Sequence, residues 1–187
     1  MRGGARLPAS ILLQSGPWLL AVLMALLAGI LDWRYRKIPN WLTVSGALAG
    51  IAANTFLFRV PGLKAALLGM AVGLGLLLPL VLIRSLGAGD WKLAGALGAS
   101  LGPSQLLSVL IVTILIAGVM ALATIIWKGR MKQTLRNMAH LLAALFSLRL
   151  PGPEVSLDDP KSTKIPFGVA MAAAVLFYAA GRAMGKM

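Results

Sequence analysis

Apolar runs long enough to cross a bilayer occupy most of this chain, and they leave it few folds to adopt. A membrane span needs about 20 predominantly apolar residues. Six runs read as spans: 15–31, 41–58, 63–83, 89–102, 104–127 and 165–181. Apolar residues make up 59% of the 187 and charged residues only 12%, with a mean hydropathy of +0.87. A soluble domain is nearer half apolar and a quarter charged. The expectation is an all-α protein: a polytopic membrane helix bundle of about six transmembrane helices, forming one membrane-embedded domain over 1–187. The first run is too long for a signal peptide and ends in charge rather than a small-residue cleavage site, so it reads as a retained helix.

The net charge of +13 raises the possibility of nucleic acid, but the distribution of charge argues against it. Most Lys and Arg lie in short segments between the apolar runs, as the positive-inside rule requires. With both termini outside, the inner side holds Arg34, Arg36, Lys37, Arg84, Lys92, Lys128, Arg130, Lys132, Arg136, Arg149, Lys161 and Lys164. The outer side holds Arg2, Arg6, Arg59, Lys64, Arg182 and Lys186. Twelve against six predicts N-out and C-out. The same topology brings all five acids, Asp32, Asp90, Glu154, Asp158 and Asp159, to or near the inner face.

The fourth run is short. Its 14 residues rise roughly 21 Å as a helix, less than a hydrocarbon core of about 30 Å. Such a segment packs among other helices, thins the bilayer or borders a water-filled recess. Gly95, Gly98 and Gly102 give it a small-residue surface, matched by Gly46/Gly50 and Gly69/Gly73 on the second and third runs. Between the last two runs, residues 128–164 form a cytoplasmic loop. In it Met131, Leu135, Met138, Leu142 and Leu145 share one helical face, which predicts a basic amphipathic helix on the inner leaflet. The turn-rich stretch after it carries Glu154, Asp158 and Asp159 as solvated loop charges.

Two acids remain. Asp32 closes the first run and Asp90 opens the fourth, at comparable depth. A carboxylate at membrane depth costs several kcal/mol and marks a functional site. Two close carboxylates share a proton and titrate as a pair. One then activates a water while its protonated partner donates to a substrate carbonyl, hydrolysing a peptide bond without serine, cysteine or metal. The chain has no cysteine, and its single histidine, His140, excludes a multi-histidine metal site and lies in the basic surface helix. No metal and no cofactor is expected. Two other readings of the aspartates stay open. They are interfacial ion pairs, Asp32 with Arg34 or Arg36 and Asp90 with Lys92 or Arg84, or they form a proton or ion relay.

The surrounding letters carry a resemblance. "GAGD" at 87–90 matches the G-x-G-D signature of intramembrane aspartyl proteases. "DWRYRKIPN" at 32–40 resembles the first-aspartate block of type IV prepilin peptidases, "GAGDWKL" their second, and "KIPFGVAMA" at 164–172 the opening of their last span. Presenilin-type relatives share G-x-G-D but are larger, and a tyrosine precedes their first aspartate where Leu31 stands here. The chain has neither the N-terminal insertion nor the paired cysteines associated with N-methylation, and is most similar to the short form associated with Flp/Tad pili. Methyltransferase activity is therefore not expected.

The resemblance implies cleavage of a short basic leader from a prepilin or pseudopilin precursor, after a glycine, at the cytoplasmic face of a bacterial or archaeal inner membrane. It implies catalytic roles for Asp32 and Asp90. Site-shaping roles are expected for Gly87 and Gly89 at the helix start, for Pro39 and Asn40 in the turn opening the second run, and for Pro166, Phe167 and Gly168. Lys92 is read as screening the pair or anchoring to lipid phosphate, and Trp33 and Trp91 as interfacial belt residues. A proton-coupled transporter subunit and a non-catalytic assembly protein of a pilus or secretion machine are the competing functions. The expected partners are the precursor and membrane lipids, without nucleic acid.

Overall fold

The computed structural model describes residues 16–83, 85–127 and 166–184, and these residues are helical, joined by short turns. The helices are α1 (Gly16–Tyr35), α2 (Asn40–Leu82), α3 (Ala88–Leu101), α4 (Pro103–Trp127) and α5 (Phe167–Ala183). Three of them, α1, α2 and α4, are long and apolar enough to cross a membrane. The amphipathic helix expected within 128–164 lies outside the described residues.

The second and third apolar runs form one 43-residue helix, α2, broken at Arg59 (φ 56°, ψ −136°). Pro61 lies just beyond the break, where its fixed φ and missing N–H suit the start of a new helical segment. The break reverses the chain, as the neighbours along α3 show. In the first half, Asn40 meets Lys92 and Gly50 meets Ser100, so the two run in parallel. In the second half, Gly69 meets Gly98 and Gly73 meets Ala94, so they run antiparallel. α5 runs antiparallel to α1, with Gly168 beside Asp32, Ala172 against Gly29 and Tyr178 stacked on Trp18.

The length of α3 is fixed locally. Gly87 forms its N-cap and Gly102 its C-cap, at φ 78°, a value that favours glycine; Pro103 then opens α4. All residues from Leu93 to Leu101 are buried. The helix is wedged between the halves of α2 by backbone-to-backbone approach. A Cβ on Gly69 would collide with the Gly98 carbonyl, and one on Gly73 would lie 2.6 Å from the Ala94 carbonyl oxygen. Asn54, buried in the first half of α2, turns its amide toward the Ala99 and Ser100 carbonyls, both at 2.9 Å. Leu93 and Leu97 then pack in one core with Leu106 and Leu110 of α4 and Met171 and Val175 of α5.

Candidate active site

α1 ends abruptly. Arg36 adopts φ 54° and donates its N–H to the Asp32 carbonyl at 2.9 Å, a left-handed cap that stops the helix. The chain then passes through Ile38 to Pro39, the extended N-cap of α2. Pro39 thus stands in the turn where the sequence placed it, directly before the first helical residue, Asn40.

This turn and the start of α3 enclose a cavity of about 610 Å³, whose lining includes Asp32, Arg36, Lys37, Asn40, Gly87 and Asp90. The two aspartates come from helices far apart in sequence and line the same cavity. Asp32 is only 7% exposed, and its Oδ2 accepts the Gly168 N–H at 2.9 Å. Gly168 is in the first turn of α5, so the carboxylate sits at a helix N-terminus, where orphan amides and the helix dipole favour an anion. A Cβ on Gly168 would stand 3.0 Å from Asp32 Oδ2, so this hydrogen bond needs a glycine or a shift of the neighbours.

Asp90 is in the first turn of α3, again at a helix N-terminus. Its Oδ2 folds back over Gly87, where an added Cβ would lie at 3.0 Å. Its Oδ1 is buried with no hydrogen-bond partner among the described residues. The Gly168 amide thus anchors Asp32 and also faces Asp90, which keeps one oxygen without a partner among the described residues.

The other sequence-predicted residues gather round this pair. Lys92 Nζ donates to Asn40 Oδ1 at 2.9 Å, tying the first turn of α3 to the first turn of α2. It serves Asn40 rather than forming the ion pair with Asp90 that the sequence left open. Ile38 fills the space between Gly89 and Gly168: a Cβ on Gly89 would lie 3.2 Å from Ile38 Cβ, and one on Gly168 would lie 3.0 Å from Ile38 Cδ1. Pro166 is the N-cap of α5, and Phe167 packs on the core behind it. Gly168 therefore touches the Asp32 carboxylate directly, while Pro166 and Phe167 set the start of its helix.

Sequence reasoning assigned no role to Ile38 or to the cavity-lining Lys37, and offered Arg36 only as an ion-pair partner for Asp32. Ile38 had a signal, as the one branched aliphatic residue within "RYRKIPN". Trp91 also departs from expectation. It is half-buried, and its indole N–H donates to the Leu74 carbonyl at 2.7 Å, locking α3 to the second half of α2. Trp33 is 67% exposed, as an interfacial residue would be.

A family model described as the type IV leader peptidase family matches residues 19–122. The chain belongs to the type IV leader peptidase family. The matched region begins in α1 and ends in α4, and so contains Asp32, the α1–α2 turn, the glycine-flanked Asp90 and Lys92. Gly168, which binds Asp32, lies beyond the match to the leader peptidase family. No curated protein and no solved structure matches the chain.

Proposed function

We propose that this leader peptidase is an intramembrane aspartyl endopeptidase that removes the short basic leader from a prepilin-like precursor, with Asp32 and Asp90 as its catalytic pair. The observation that carries the reading is the convergence of these two aspartates on one cavity at the N-termini of α3 and α5. A pair sharing one proton supplies both functions that hydrolysis needs. The ionised member takes a proton from water as the water oxygen attacks the scissile carbonyl carbon. The protonated member gives its proton to the carbonyl oxygen. Collapse of the resulting diol breaks the C–N bond and sends a proton to the departing amine.

The Gly168 amide fixes the orientation of Asp32. The unpartnered Oδ1 of Asp90 offers the position for water or the substrate carbonyl. The Lys92–Asn40 bond ties the start of α3 to Asn40, which lines the cavity. We further propose six spans, counting the halves of α2 separately and including the short α3 and α5, with both termini outside and the aspartates near the cytoplasmic face. The alternation of direction along α1, the two halves of α2 and α3 supports that count.

The direct test incubates the purified full-length protein with a prepilin-like precursor and locates the cut by mass spectrometry. A single cut at the junction between leader and hydrophobic helix, absent from Asp32→Asn and Asp90→Asn proteins that still insert, is the expected result. Full processing by either variant overturns the assignment. Proton flux into liposomes without any peptide product would favour the relay.

A further inference from the structure

A second cavity, of about 360 Å³, opens at the end of the bundle opposite the aspartates, with Trp18, Asn54, Pro61, Ser100, Gln105 and Arg182 in its lining. Trp18 precedes Asp32 by 14 residues on α1, which separates the two cavities by about 21 Å along that helix. This end therefore takes no part in the proposed proteolysis.

Its chemistry is that of an anion site. Arg182 lies with its guanidinium carbon 5.5 Å from the centre of the Trp18 ring, a cation–π geometry. Tyr178, one helical turn earlier on α5, stacks on the same indole with centroids 5.7 Å apart and planes 2° from parallel. The guanidinium is held by a ring rather than by a carboxylate. The only acids among the described residues, Asp32 and Asp90, are at the far end.

A second observation is independent of that charge. Trp18 is 7% exposed, and its Nε1 is buried without a hydrogen-bond partner among the described residues. A buried indole N–H ordinarily finds an acceptor. The cavity thus carries a cation seated on Trp18, whose own donor is without a partner among the described residues, with Gln105 also in the lining.

We propose that this cavity binds the phosphate of an anionic glycerophospholipid headgroup. Arginine's planar fork suits phosphate oxygens. Lipid phosphates lie where spanning helices end, and α5 ends at Ala183, one residue beyond Arg182. A net-negative headgroup is preferred, because the ammonium of a choline headgroup would add a second cation beside Arg182.

The experiment titrates short-chain phosphatidylglycerol, short-chain phosphatidylcholine and inorganic phosphate separately into the full-length protein in uncharged detergent. Retained adducts are read by native mass spectrometry. The expected result is a saturable phosphatidylglycerol adduct, with phosphatidylcholine and free phosphate each about tenfold weaker. Arg182→Gln lowers the phosphatidylglycerol affinity about tenfold. Trp18→Phe keeps the ring, loses the donor and lowers it about threefold. Equal retention of the two lipids overturns the proposal, as does unchanged binding by Arg182→Gln that also melts like the wild type. Free phosphate that binds as tightly as phosphatidylglycerol overturns the lipid assignment.

Discussion

The first turn of α3 and the nine residues after it lie in opposite surroundings. Gly89, Asp90 and Lys92 are only partly buried and border the cavity, the Ile38 plug or the Asn40 bond. Leu93 to Leu101 are fully buried, held by backbone approach to Gly69 and Gly73 and by Asn54. A short helix in lipid gains little from a hydrophobic driving force, so close packing and polar anchors have to hold it. In the proposed mechanism, the packed part gives the carboxylate a fixed origin and the open turn gives it access to water and substrate. Rigidity and exposure are thus separated by a single residue position.

That division is tested by substitutions on either side of it. Asp90→Asn, in the open turn, is expected to lower leader cleavage below about a thousandth of the wild-type rate. Its thermal unfolding in detergent should stay unchanged. A comparable loss of thermal stability would show that the first turn is part of the packing. Gly98→Val, in the packed part, meets the backbone of Gly69 and should cost about 3 kcal/mol of stability. Thermal melting of the purified variant reports it, and a wild-type melt would mean that α3 is held less tightly than the glycine contacts imply.

Gly168→Ala sharpens the contrast from the α5 side. The added methyl crowds Asp32 Oδ2 and Ile38, and kcat should fall about tenfold with little change in KM, because a misplaced catalytic group loses rate rather than binding. Steady-state kinetics on a leader peptide separates these quantities. The smallest effect is expected at the Lys92–Asn40 bond. Lys92→Met should lower the rate about threefold, and Asn40→Ala added to it should change little more, since the two share one interaction. Additive losses in that double-mutant cycle would assign the side chains separate roles.

Much of the candidate site is legible in the sequence. Asp32 and Asp90 stood out because acids are scarce in this chain and these two alone lie at the ends of apolar runs. The glycines around Asp90 and the Pro-Asn turn after Asp32 marked helix starts. The shortness of α3 followed from Gly87, Gly102 and Pro103, since positive φ and proline act locally. Lys92 and Trp91 were read differently because lipid snorkelling and belt positions are common fates for such residues. Only the neighbouring elements show that they donate instead to Asn40 and to the Leu74 carbonyl.

The sequence by itself determined that the chain is helical and built for a membrane, where its helices end, and which two carboxylates carry an unusual cost. Those properties follow from local composition and backbone chemistry. Tertiary structure alone decided that the helix after Pro166 delivers an amide to Asp32, and that Trp18 and Arg182 meet at the opposite end. Each depends on residues far apart in the chain meeting at a few ångströms, a distance that no local pattern encodes.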